Sequence, residues 1–354
     1  MHGDAAVEGV RVPAVHVGSP RRCVESAGAA ATRRLQSSPS RARLPVATPP
    51  MAHPLRTDAL PDYPFAPKRY EVRPGIGMAY LDEGPRDAPV VVMLHGNPSW
   101  SYYWRRLVLA LRDTQRCIVP DHVGMGGSDV PGDDRYAYTL QSRVDDLDAL
   151  LRHLGVDGPV TLAVHDWGGG IGFGWAASRS ERVVRLVILN TGSFPLPAAK
   201  PLPRTLRFGR DSRLGTLVIR GLNGFAGVAA RVGTVRPMPR DVRRAYLAPY
   251  DSWANRRAVS RFVQDIPLGP GDRAWPLVEA MARALPGYAD RPAFIGWGLR
   301  DFVFDHHFLR GFTDALPNAE VHAFEDAGHY VLEDRHEALV PAIRGFLGRT
   351  EGAR

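Results

Sequence analysis

The chain has 354 residues, 44% of them hydrophobic, and a formal net charge of +8. That length and apolar content suit one large core with an inserted subdomain, and no apolar run approaches the roughly 20 residues of a membrane-spanning helix. Two cysteines, Cys23 and Cys117, exclude a disulfide framework and point to a reducing, cytoplasmic compartment.

The basic excess does not read as a nucleic-acid footprint, which would cluster as a patch with interleaved aromatic residues. Residues 1–50 carry a net +4, and the remaining +4 is expected to spread over many helices. Lys68 and Lys200 are the only lysines, so the excess is nearly all arginine, as a GC-rich bacterial coding sequence favours.

Residues 1–62 are rich in Ala, Arg, Ser and Pro without apolar periodicity and are expected to be a disordered extension. They resemble a transit peptide, but translation from Met51 is the preferred explanation. From Tyr63 the pattern turns globular. A β-hairpin is expected over Tyr70–Leu81, a buried strand over Pro89–Leu94, a helix over Ser101–Leu111 and a strand over Cys117–Pro120. Thr139 is the expected N-cap of a helix reaching Leu154, with Val144, Leu147, Leu150 and Leu151 on one face. A strand at Val160–Val164, a helix from Gly169 and a strand at Val183–Leu189 follow. Over 195–286 the alternation gives way to Arg-, Pro- and Gly-rich sequence with helical pieces such as Asp241–Leu247 and Ser252–Val263. It resumes with a strand at Ala293–Trp297, a helix at His306–Leu316, a strand at Glu320–Phe324 and a helix at Glu337–Leu347.

Apolar strands alternating with helices imply a mostly parallel sheet covered on both faces. The expected organisation is a core formed by 63–194 and 287–350, with 195–286 as a helical cap over the strands' carboxyl ends, where ligands bind in such sheets.

The segment Val164-His165-Asp166-Trp167-Gly168-Gly169 runs from an apolar strand through a tight turn into a helix. This is the context of a nucleophile elbow, the mark of an α/β-hydrolase fold, with Asp166 where Ser usually stands. A Ser that attacked saturated carbon would form an ether that water cannot remove; an Asp forms an ester that water can cleave. Asp166 therefore argues for attack at sp3 carbon, as in alkyl halides, epoxides or strained lactones. The order nucleophile, acid, histidine is completed by Asp301 and His329, each just past a strand. The loop His95-Gly96-Asn97-Pro98 faces the elbow and is expected to supply an oxyanion-hole N–H beside that of Trp167. The Asn97 amide and the Trp167 indole are neutral donors suited to a departing halide. His165 is expected to be an oriented neighbour of the elbow, and His122 a loop residue near the site mouth. His306 and His307 read as solvated rather than as metal ligands. Gly124, Gly126 and Gly127 form a tight turn without dinucleotide-site spacing.

Four motifs carry a family resemblance: His95-Gly96-Asn97-Pro98-Ser99-Trp100, Asp121-His122-Val123-Gly124-Met125-Gly126-Gly127-Ser128-Asp129, His165-Asp166-Trp167-Gly168-Gly169 and Gly328-His329. From Pro64 to Leu347 the chain resembles the haloalkane dehalogenases. Asn190-Thr191-Gly192-Ser193 holds no carboxylate, so Asp301 takes the acid's role, as in the third subfamily. The resemblance implies that Asp166 displaces halide, Asn97 and Trp167 hold it, and water activated by His329 cleaves the alkyl-enzyme ester. The alternative comes from the related β-lactone decarboxylases of bacterial long-chain olefin biosynthesis, which share this pattern and release an alkene and CO2. Gly298-Leu299-Arg300-Asp301-Phe302-Val303-Phe304-Asp305 and His329-Tyr330-Val331-Leu332-Glu333-Asp334 are particularly similar to them. Epoxide hydrolysis ranks third and would need Tyr246 and Tyr250 as acids. The expected partner is a small hydrophobic substrate, with no cofactor, metal or nucleic acid.

Overall fold

A computed structural model describes residues 55–350. The expected N-terminal extension up to residue 54 lies outside the described residues. Its last part, 55–62, is corrected from disordered to packed: Leu55 and Leu60 rest against the core, and Asp62 pairs with Arg106 at 3.2 Å.

The described residues form an eight-stranded sheet ordered β1-β2-β4-β3-β5-β6-β7-β8. The first two strands, β1 (Lys68–Arg73) and β2 (Ile76–Glu83), make the expected hairpin. The rest, β3 (Val90–Leu94), β4 (Arg116–Pro120), β5 (Val160–Asp166), β6 (Val183–Thr191), β7 (Ala293–Gly298) and β8 (Glu320–Phe324), run parallel to one another. Parallel strands need crossovers, and the first three run through α1 (Arg105–Leu111), α2 (Leu140–His153) and α3 (Trp167–Ala176). The central strand β5 is buried at all seven positions, which accounts for its largely apolar stretch from Val160 to Val164.

Helices α4 (Arg204–Asp211), α5 (Arg213–Gly221), α6 (Ala226–Val232), α7 (Arg240–Leu247), α8 (Arg257–Gln264) and α9 (Trp275–Ala284) lie between β6 and β7. The chain then closes with α10 (His306–Ala315), the short α11 (Val331–Asp334) and α12 (His336–Arg349).

Local chemistry sets the boundaries. The Thr139 hydroxyl accepts from the Ser142 N–H at 3.1 Å, the N-cap expected from sequence. Two helices begin later than their periodicity suggests. The Ser101 N–H donates to Asp121, and Tyr103 bonds back to Trp100, so Ser101–Trp104 is a 3-10 turn. Ser252 accepts from the Asn255 N–H and Arg256 donates to the Tyr250 carbonyl, which holds that stretch as turns until Arg257.

Candidate active site

Asp166 ends β5 with φ 51° and ψ −126°, a backbone conformation rare for a residue with a side chain. Although it precedes α3 directly, its carboxylate does not cap that helix. The strained turn instead lifts the carboxylate above the sheet, into a cavity. Two glycines allow the approach. A Cβ on Gly96 would overlap the Asp166 carboxylate, and one on Gly168 would collide with the Leu94 carbonyl.

The three residues expected to act together do meet. His329 Nε2 lies 3.7 Å from Asp166 Oδ2, and His329 Nδ1 donates to Asp301 Oδ2 at 2.8 Å. Asp301 Oδ1 accepts from the N–H groups of Val303 and Phe304, so the carboxylate is fixed before the histidine reaches it. The Asn97 N–H donates to Asp166 Oδ1 at 2.6 Å, and the Trp167 N–H also donates to that carboxylate. Asn97 Nδ2 donates to the Val259 carbonyl of α8 at 3.2 Å, and Trp167 packs against Phe262 with ring centres 5.3 Å apart. Both residues line the cavity beside Asp166 and His329.

Burial pushes the Asp166 carboxyl above its ordinary range, and the Asp301 charge adds to the rise. The His329 charge and the two N–H donors oppose it without cancelling it. For His329, burial works against the charged form, but Asp301 and Asp166 outweigh it, so the imidazole titrates above its usual value. His165 is pushed well below that value, first by burial and then by the His329 charge. It stays neutral, donating from Nε2 to the His329 carbonyl at 2.9 Å, an oriented neighbour as expected.

One positioning residue escaped the sequence reading. Asn190, at the end of β6, donates from Nδ2 to Asp301 Oδ2 at 3.1 Å and to the Gly298 carbonyl at 3.0 Å. Its Oδ1 accepts from the Gly298 N–H at 2.8 Å, which ties the acid to the neighbouring strand. The signal available was its place at a strand end in the segment noted for lacking a carboxylate.

Two other expectations are corrected. His122 is not near a mouth: it is buried and donates to the His95 carbonyl beneath the loop at 2.9 Å. Tyr246 donates to Glu333 and Tyr250 to the Ser99 carbonyl, and neither lines the cavity, so neither is placed as an epoxide acid. Asp305, His306 and His307 bring ligand-type atoms within 4.8 Å of one another, but Lys200 holds Asp305 at 2.8 Å and Asp305 accepts from the His307 N–H at the start of α10.

The cavity measures about 790 Å³ and its lining is mainly apolar, with Arg204 and Thr205 the polar exceptions away from the floor. Leu206, Ile219, Val263 and Met281 from the inserted helices face Phe304 and Phe308 from the core across it. Taking ~30 Å³ for a water-sized group, this is room for roughly two dozen such groups.

A mostly parallel sheet, an aspartate at the elbow and an ordered acid and histidine define an α/β-hydrolase. The chain belongs to the α/β-hydrolase fold family, which it matches over residues 89–336. It is 65% identical over 294 residues to a cis-3-alkyl-4-alkyloxetan-2-one decarboxylase of Xanthomonas campestris pv. campestris, covering 82% of this chain and 98% of that protein. It is 35% identical to a haloalkane dehalogenase of Mycolicibacterium paratuberculosis, covering 81% and 94%. The crystal structure of the haloalkane dehalogenase DbeA from Bradyrhizobium elkani superposes with a TM-score of 0.73 at 28% identity, covering 82% of this chain and 100% of that one.

Proposed function

We propose that this chain decarboxylates β-lactones carrying two long alkyl groups, with residues 195–286 as a cap over the site. Displacement of halide, the leading expectation from sequence, becomes the second reading. The observation that carries the proposal is the large, mainly apolar cavity with Asp166, Asn97, Trp167 and His329 on its floor. A dialkyl lactone fills such a space; a short haloalkane leaves most of it empty. The 65% identity to an oxetanone decarboxylase supports the same reading.

Asp166 Oδ2 attacks the saturated ring carbon that bears the ring oxygen, and the bond between that carbon and the oxygen breaks with its electrons on the oxygen. The new carboxylate is received by the Asn97 amide and the Trp167 indole, donors that suit any departing anion. The bond from the adjacent carbon to this carboxylate then breaks. Its electron pair forms the double bond, and the ester bond to Asp166 returns its pair to the Asp166 oxygen. CO2 and an alkene leave, and no water is consumed. Inversion at the first step followed by anti elimination carries cis substituents into a cis alkene. His329, held protonated by Asp301, keeps the buried Asp166 ionised and stabilises it as the leaving group. The expected setting is cytoplasmic, and Cys117, buried and unpaired, accords with a reducing compartment.

Dehalogenation is favoured by the same Asn97–Trp167 pair. The two readings part over water, because hydrolysis of an alkyl ester on Asp166 puts a solvent oxygen into its carboxylate. The test is turnover of a dialkyl β-lactone and of a bromoalkane in heavy-oxygen water, followed by mass spectrometry of the peptide that contains Asp166. Alkene and CO2 with an unlabelled peptide are expected from the lactone. No alkene from it, together with bromide release and a labelled Asp166, would replace decarboxylation by dehalogenation.

A further inference from the structure

The basic excess is not spread over many helices as the sequence suggested. Residues 195–286 hold fifteen arginines and one lysine against six acids, a net +10 that exceeds the +8 of the whole chain. Arg204, Arg207, Arg213, Arg236, Arg240 and Arg244 are exposed and form no ion pair among the described residues. The same segment exposes apolar side chains. Phe208, Val228 and Val232 are 44%, 51% and 52% exposed and Phe302 of the core 47%, and all four also line the cavity, so they sit at its mouth.

Helical spacing interleaves the two chemistries. On α4, Arg204 and Phe208 are four residues apart and both line the cavity; on α6, Val228, Arg231 and Val232 share one face. On α5, Leu214 and Leu217 are 58% and 52% exposed beside Arg213. Exposed apolar residues rimmed by cations on short amphipathic helices are the pattern of a segment that lies in a lipid headgroup layer.

We infer that the cap docks on an anionic bilayer surface, with the cavity mouth facing the acyl region. Charge complementarity selects the occupant, since unpaired arginines beside apolar side chains match anionic headgroups above acyl chains. A long-chain apolar molecule would then pass between bilayer and cavity without crossing water. This goes beyond the proposed reaction and does not depend on it.

Vesicle flotation tests the inference on the full chain and reads no turnover, so its failure would leave the reaction untouched. Vesicles of one part phosphatidylglycerol to two parts phosphatidylcholine should carry the protein at low salt. Phosphatidylcholine alone should carry at least about tenfold less, and the difference should vanish near 1 M salt, where the screening length falls to ~3 Å. Arg204→Glu/Arg207→Glu/Arg213→Glu should cut binding to the anionic vesicles at least about tenfold. The basic first fifty residues are unchanged in that variant, so undiminished binding by it would overturn the assignment to the cap. Absence of binding by the parent chain would do the same and turn the surface toward a protein partner. If the charge-reversed variant melts early, Arg207→Gln/Arg213→Gln replaces it with the same expected direction.

Discussion

Asp301→Asn is the substitution in which the site's electrostatics are most exposed. His329 Nδ1 donates to Asp301 Oδ2 at 2.8 Å, and at an effective dielectric of about 20 two unit charges at that distance attract by on the order of 6 kcal/mol. Each 1.36 kcal/mol is tenfold in rate, so full loss of that term sets a ceiling of about four decades. The amide can still accept from the Val303 and Phe304 N–H groups, so the loop keeps its anchor. Its NH2 would then face two donors, Asn190 Nδ2 and the His329 Nδ1–H. The histidine loses its charge, and Asp166, buried and already pushed upward, loses the cation that opposes the shift. Removing Asp301 also relieves Asp166 of a like charge, but that contribution ranks below the His329 term, so the Asp166 pKa rises further. We expect kcat to fall about 100- to 1,000-fold at neutral pH. The acid limb of the rate profile should move to higher pH, because the nucleophile acts only when ionised. Alkene release by gas chromatography across a pH series gives both quantities, with a thermal melt confirming the fold. A variant within tenfold of the parent, with its acid limb unmoved, would refute the chain of charges from Asp301 through His329 to Asp166.

Trp167→Phe keeps an aromatic ring against Phe262 and removes the indole donor; single-turnover rates should drop about 100- to 1,000-fold while the melting temperature holds. Asn190→Ala removes a buried donor to a charged acceptor, worth about 1.5–3 kcal/mol, so kcat should fall roughly 10- to 100-fold with KM nearly unchanged. Because Asn190 acts by holding Asp301, a proton NMR measurement should also show the His329 Nδ1 hydrogen bond weakened, which a merely destabilised core would not produce. Ile219→Trp fills part of the cavity from α5, so rates on a series of alkyl lactones should fall steeply beyond a shorter chain length, about 10- to 200-fold per excluded methylene.

Much of the candidate site's geometry was legible because Asp166, Asp301 and His329 each follow a strand end with its own local signature. The Gly-rich turn after a largely apolar strand marked Asp166, and two later strand ends marked Asp301 and His329. In a parallel sheet all carboxyl ends lie on one edge, so chain order alone places three such residues together. The chemistry of a carboxylate in a serine's place was equally readable, since it rests on bond types and not on folding.

Asn190 was not readable because its role depends on the register that sets Leu189 opposite Gly296 and so brings its amide to Gly298 and Asp301. Tyr246 and Tyr250 had the right residue type, yet packing turned both hydroxyls to partners outside the cavity. The part of the cavity lined by the inserted helices could not be seen either, since short helices broken by Gly and Pro give too few turns for periodicity to say which face is inward. Sequence thus determined the sheet, the order of Asp166, Asp301 and His329 along the chain and the kind of carbon proposed for attack. Tertiary packing alone decided the size of the space above them and which arginines of the inserted helices stayed exposed without an ion pair among the described residues, because both depend on how six helices settle against one another and the core.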